Sequence, residues 1–179
     1  MARALVLTVI GEDRPGLVEA LAALIAEHGG NWDESRMARL AGHFAGVVQI
    51  HLPDERAEGF VAVLDSLSER GLSASVVDSD WTLASIDHRD TFRFELIGQD
   101  RPGIVREISS ALAALGVSVQ DLRTMVESAP MSGERLFRAH AELAPPEEIP
   151  LEKVRDALER LADEFMVDIS LESGPGPHE

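Results

Sequence analysis

The chain has 179 residues, a formal net charge of −16 and no cysteine. The charge argues against a nucleic-acid-binding surface, which depends on Lys and Arg, and the lack of cysteine excludes disulfides, thiolate metal sites and a cysteine nucleophile. The first apolar run, residues 4–10, is too short for a signal peptide or a membrane span and is followed at once by two acids. These features predict a cytoplasmic protein that binds neither nucleic acid nor membrane.

The first half of the chain alternates between strand and helix patterns. Its apolar residues recur at every second position in the strands and at helical spacing in the helices. The predicted strands lie at about 4–10, 31–40, 44–52 and 72–78; the helices lie at about 15–28 and between Pro53-Asp54 and Gly71. The element order is therefore βαββαβ.

A short motif recurs and divides the chain in two. Residues 11–18 read GEDRPGLV, and residues 98–105 read GQDRPGIV. In both copies an alternating apolar run precedes the motif and a helical pattern follows it, so the motif is predicted to be a strand-to-helix turn. The duplication predicts an α+β protein of two ferredoxin-like βαββαβ units, each a four-stranded antiparallel sheet with two helices on one face.

The repeat also sets the expected boundaries. The predicted units are residues 1–78 and 91–173, with a linker at 79–90 and a flexible tail at 174–179. The linker is expected to dock because it contains Trp81, Leu83 and Ile86.

The two units differ on the second face of their first strands. That face carries Ala4, Val6 and Ile10 in the first unit but Arg93 and Glu95 in the second. Buried sheet faces are apolar, so the first unit's second face is predicted to be covered and the second unit's to be more exposed.

Each turn is suited to hold the charged ends of a small molecule. Its proline lacks an N–H and fits a first helical turn, and its glycine allows a close approach of backbone or ligand. Free N–H groups at the start of the helix then lie opposite Asp13 or Asp100, so the turn can bind a carboxylate and an ammonium group. The aspartates could also simply cap the helix, and the two interpretations are compatible.

Other polar residues give weaker signals. Arg36 and Arg123 recur at the same offset within their repeats, where a surface ion pair is favoured over a contact with a ligand or partner carboxylate. The histidines show no metal-binding spacing, and no nucleophile elbow, P-loop or dinucleotide motif is present. The sequence therefore predicts no catalytic residue, no metal and no cofactor.

A βαββαβ unit whose first turn reads Asp-Arg-Pro-Gly resembles the ACT domain, the small-molecule-binding module of amino-acid metabolism. The resemblance covers both halves. Two such units with no catalytic or DNA-binding domain attached resemble the glycine cleavage system transcriptional repressor family, which acts through protein–protein contact. The resemblance implies a non-enzymatic regulatory protein that senses an amino acid of the glycine or serine class.

The resemblance also implies which residues contact the ligand. Serine-binding ACT domains use the turn, where they carry asparagine instead of aspartate, and the start of the second strand. The implied ligand-binding residues are Asp13, Arg14, Pro15, Gly16, Leu17 and Asn31 in the first unit, and Asp100, Arg101, Pro102, Gly103, Ile104 and Ser118 in the second. Asn31 is predicted to bind more tightly than Ser118 because an amide both donates and accepts hydrogen bonds.

Three functions follow from these observations. The first is a sensor in which a small amino acid, held between the turn of one unit and a neighbouring unit, biases contact with a protein partner, with a homodimer as one assembly. The second is a regulatory subunit of an enzyme of amino-acid metabolism. The third is an enzyme on a ferredoxin-like scaffold, since fold does not fix function.

Overall fold

The computed structural model describes residues 2–79, 90–129 and 133–173, which form two compact units. The predicted docking of Trp81, Leu83 and Ile86 and the predicted flexible tail lie outside the described residues. No helix in the described part of the chain is both long and apolar enough to cross a membrane.

The first unit has the predicted βαββαβ order. Its elements are β1 (Ala2–Glu12), α1 (Leu17–Glu27), β2 (Asn31–Leu40), β3 (His43–Pro53), α2 (Asp54–Val63) with a 3₁₀ helix (Leu64–Arg70), and β4 (Leu72–Asp78). The strands form one antiparallel sheet in the order β2-β3-β1-β4. The first strand is therefore central.

The second unit repeats this order. Its elements are β5 (Phe92–Gln99), α3 (Ile104–Ala114), β6 (Ser118–Ser128), β7 (Arg135–Ala144), α4 (Leu151–Phe165) and β8 (Asp168–Ser173). The antiparallel sheet has the order β6-β7-β5-β8, so the predicted fold class is confirmed for both units.

Each unit buries one sheet face against its two helices. Leu7 of β1 and Leu21 of α1 are fully buried in the first core, as Leu96 of β5 is in the second. The helical spacing predicts that the apolar residues of the motif face the core; Leu17 and Ile104 are buried as expected, but Val18 and Val105 are 46% and 43% exposed. Each follows the first residue of its helix, and a step of about 100° turns it away from the buried face.

Two predictions of helix geometry were wrong. Pro15 and Pro102 precede their helices, which begin at Leu17 and Ile104, because a glycine with a positive φ separates each proline from its helix. The second helix of the first unit changes from α to 3₁₀ after Val63. There the hydroxyl of Ser68 donates to the carbonyl of Asp65, a local bond of the kind that competes with helical geometry.

The second face of the first sheet is less covered than predicted. Ala4 and Val6 on this face are half-buried, but Ile10, Val47 and Val77 are exposed.

A side-chain pair joins the start of β1 to the end of β4. Arg3 donates two hydrogen bonds, of 2.6 and 2.8 Å, to the carboxylate of Asp78. This bond to Arg3 lowers the pKa of the Asp78 carboxyl.

The first glycine of the repeated motif has a structural role. A Cβ on Gly11 would overlap the carbonyl oxygen of Gly71, and one on Gly98 would overlap the side chain of Val167. At these points the end of the central strand passes against the start of the last strand. Gly16 differs, because its surroundings are open but its φ is +94°.

We expect two glycine substitutions to destabilise the first unit through different mechanisms. Gly11→Ala should cost roughly 2–3 kcal/mol because backbone must shift to admit the Cβ. Gly16→Ala should cost roughly 1–2 kcal/mol through its positive φ alone. Urea unfolding followed by circular dichroism measures both changes.

Gly59 provides the matched control because it lies inside α2 with open space around it. Gly59→Ala should stabilise the protein by roughly 0.5–1 kcal/mol, since alanine has the higher helix propensity. A Gly11→Ala variant as stable as the parent protein would contradict the close approach of these strands.

Candidate functional site

The connection between β1 and α1 is a tight turn. Gly16 immediately precedes the helix with φ +94° and ψ −3°. A proline followed by a glycine with these angles is typical of a type II turn. The equivalent Gly103 has φ +90° and ψ −7°, so both copies of the motif have the same local backbone.

The turn aspartates bind the neighbouring hairpin. The N–H of Asp13 donates to the carbonyl of Gly42, and the N–H of Asp100 donates to that of Arg135, both at 2.9 Å. No side-chain bond caps either helix at its N-terminal residue. The residue before each helix is a glycine, Gly16 or Gly103, which has no side chain that could accept from the helix N–H groups.

Each aspartate carboxylate lies beside an exposed arginine. Arg39 Nε is 2.6 Å from the carboxylate of Asp13, and Arg135 Nη2 is 3.0 Å from that of Asp100. These arginine side chains are 70% and 71% exposed. Each turn therefore presents both signs of charge to solvent, next to the positive end of a helix.

Sequence reasoning missed both of these arginines. Arg39 lies near the end of β2, whereas Arg135 begins β7, so the two do not occupy equivalent positions in the repeat. The strand order is the feature that could have located these arginines. It brings the β2–β3 hairpin to the end of the central strand, where the turn begins.

The turn arginines fold back on their own units. Arg14 lies against Gly71, where a Cβ would overlap its guanidinium group. Arg101 bonds to Glu107, and its guanidinium carbon is 4.5 Å from the centre of the Phe165 ring. An arginine in such a turn is expected to point to solvent, but Arg101 does not, and its contact with Phe165 tethers the second turn to α4.

The second-strand candidates lie at the far end of each sheet. Asn31 is opposite His51, which pairs with Ala4 at the start of the central strand. The turn follows the other end of that strand, at Glu12. Eight residues of strand span about 26 Å. Asn31 and the turn of one unit therefore cannot contact the same small ligand.

Ser118 has the corresponding position in the second unit. It is opposite Ala144, and the next pair of residues, Val119 and Leu143, is level with Phe92 at the start of the central strand. Within each unit the structure thus groups the turn residues with one another and leaves the second-strand residue apart.

Other polar groups form surface pairs. Arg123 is 3.3 Å from Asp121, in agreement with the predicted surface ion pair at that position. His140 Nδ1 is 3.2 Å from Glu95 on the outer face of the second sheet. In the described residues, no three metal-ligating side chains come together.

Comparison with known proteins identifies the fold family of the first unit. Residues 3–77 match the family model of the ACT domain. No curated protein matches the sequence at a significant level. The first unit is an ACT domain, and the second repeats its strand order.

Two solved structures match nearly the whole chain. An unknown protein from Galdieria sulphuraria is 29% identical, with a TM-score of 0.84, over 98% of this chain and 100% of that one. A "putative glycine cleavage system transcriptional repressor" is 18% identical, with a TM-score of 0.74, over 96% and 97%. The chain thus has two units of one strand order, of which the first matches the ACT-domain model, and at 18% identity the second likeness concerns the fold alone.

We expect the ion pair at the first turn to be weak, so that a ligand can replace it. A double-mutant cycle of Asp13→Asn and Arg39→Gln should give a coupling energy of about 0.2–1 kcal/mol, as for other exposed pairs. The Arg101–Glu107 pair should couple more strongly, because both of its side chains are only about a third exposed, at 33% and 35%, and solvent screens their charges less. Equal coupling energies in the two cycles would show that this difference in exposure has no energetic effect.

Proposed function

We propose that the protein is a non-enzymatic amino-acid-binding regulatory protein. A small amino acid of the glycine or serine class binds at the β1–α1 turn and the equivalent β5–α3 turn. The observation that supports this most directly is the exposed pairing of Asp13 with Arg39, and of Asp100 with Arg135, beside an uncapped helix N-terminus.

The charges of this site match those of a zwitterion. The ligand's ammonium group donates to the carboxylate of Asp13, and its carboxylate accepts from Arg39 and from N–H groups at the start of α1. Such charge-assisted hydrogen bonds are the stronger class. Open space around Gly16 gives the ligand access to the turn. Pro15 and Leu17 set the backbone of the site in this proposal, as Pro102 and Ile104 do in the second unit.

In this proposal the bound amino acid changes the contact of the protein with a protein partner. A net charge of −16 disfavours direct contact with nucleic acid, so regulation of transcription would pass through another protein. The fold shared with the repressor-like structure supports transcriptional regulation of glycine cleavage in the cytoplasm as the biological role.

A second copy of the chain completes the site in this proposal. Asn31 and Ser118 lie about 26 Å from the turn of their own unit, as counted along the central strand. A homodimer can bring Asn31 of one chain to the turn of another, where its amide donates to the ligand carboxylate and accepts from the ammonium group.

We expect glycine or serine to stabilise the protein against heat without being consumed. A ligand at about a hundred times its Kd stabilises the native state by roughly 2.7 kcal/mol. Asp13→Asn and Arg39→Gln should each weaken binding by about tenfold or more, since each removes a charged partner. A thermal-shift panel of amino acids, followed by titration calorimetry, measures both effects.

Glu55→Gln is the matched control, since it removes one exposed acid of the same unit from the start of α2, which follows Pro53 at the end of the sheet opposite to the turn. Its affinity should equal that of the parent protein. Binding that survives both turn substitutions unchanged, or a panel in which no amino acid shifts the melting temperature, would overturn the proposed site.

Mixing two variants tests the second copy separately. Asn31→Ala and Asp13→Asn chains should each lose binding at the first turn when alone. Mixed dimers should regain half of these sites, because one chain supplies an intact turn and the other an intact Asn31. If Asn31→Ala alone binds as tightly as the parent protein, the turn acts without a second copy.

A further inference from the structure

A pocket of the second unit lies beside a connection that the first unit lacks. In the first unit β3 ends at Pro53 and α2 begins at the next residue. In the second unit residues 145–150 separate the end of β7 from the start of α4. This connection forms the pocket together with the start of β5, and the described lining residues are Asp90, Phe92, Pro145, Pro146, Glu147, Ile149 and Leu151.

The connection has a constrained backbone. It contains prolines at positions 145, 146 and 150, and the ring of each fixes its φ angle. The N–H of Ile149 donates to the carbonyl of Pro146 at 3.0 Å, which closes a turn. Pro145 is buried, and the ring of Pro146 lies against Gly116 at the end of α3. A wall that is fixed before a ligand arrives loses little conformational entropy on binding.

The pocket is large enough for a small organic molecule. Its volume is about 450 Å³, within the range of roughly 300–1,000 Å³ that is typical of small-molecule sites. Phe92, Ile149 and Leu151 are half-buried and pack against the second core, so they form an apolar floor. The apolar part of a ligand on this floor would leave water.

The charges of the pocket are acidic. Asp90 and Glu147 both line it and are both exposed. Among the described lining residues none is basic. The net charge of −16 adds a general attraction for cations and repels anions.

We propose that this pocket binds a small organic cation that carries an ammonium group on an apolar body of the size of one aromatic ring. The ammonium group donates charge-assisted hydrogen bonds to the carboxylates of Asp90 and Glu147, and the ring packs on the apolar floor. The pocket lies at the start of β5, whereas the turn follows the other end of that strand. The site is therefore separate from the proposed amino-acid site.

Titration calorimetry of the full-length protein with phenethylamine tests the proposal. Phenethyl alcohol has the same ring without the charge and should bind at least about tenfold more weakly. Methylamine has the charge without the ring and should lose at least as much affinity. Hydrocinnamate, which carries a carboxylate instead of the ammonium group, should not bind. Methyl NMR should show saturable shifts at Ile149 and Leu151 with phenethylamine.

Substitutions of equal size test the two acids. The double variant Asp90→Asn, Glu147→Gln should bind phenethylamine at least about tenfold more weakly than the parent protein. Glu148→Gln is the matched control, because it removes an exposed acid from the same connection that does not line the pocket. Its affinity should equal that of the parent protein.

Three results would overturn the proposal. The first is the absence of saturable shifts at Ile149 and Leu151 during the titration. The second is an affinity for hydrocinnamate equal to that for phenethylamine. The third is an equal loss of affinity in Glu148→Gln and in the double variant, which would mean a general attraction of cations to an acidic protein.

Discussion

In each unit the first strand must leave the centre of the sheet and turn directly into a helix. The strand has a hydrogen-bonded neighbour on both sides, so its end is enclosed by the β2–β3 hairpin and by the start of the last strand. Only glycine fits at the crossing with that strand, at positions 11 and 98. Only glycine adopts the positive φ without strain at positions 16 and 103. The path of the backbone therefore explains the glycines of the repeated motif before any ligand is considered.

The same geometry produces the candidate site. A turn that ends in a positive-φ glycine leaves the helix N-terminus without a side-chain cap. The aspartate of the turn, which bonds to the hairpin through its N–H, places its carboxylate beside an arginine from the hairpin. Backbone N–H groups, a carboxylate and a guanidinium group thus converge at the end of the central strand. This arrangement suits a zwitterion because each of its charges has an opposite partner.

Duplication has left the two units with different surfaces. The outer sheet face of the first unit exposes Ile10, Val47 and Val77, while that of the second carries ion pairs such as His140 with Glu95. On the helix side the difference is reversed: Trp32 packs on the first core, and Val119 in the same position of the second sheet is exposed. One fold therefore presents two different surfaces around nearly identical turns.

The sequence by itself determined the repeat, the element order and most of the core, because alternation and helical spacing report which side chains face inward. The repeated motif also located both turns from the chain alone. The tertiary structure decided the rest: that each helix begins after its glycine, that the aspartates pair with Arg39 and Arg135, and that Asn31 lies far from its own turn. These features depend on strand order and register, which join residues distant in the chain, and local patterns carry no record of that pairing.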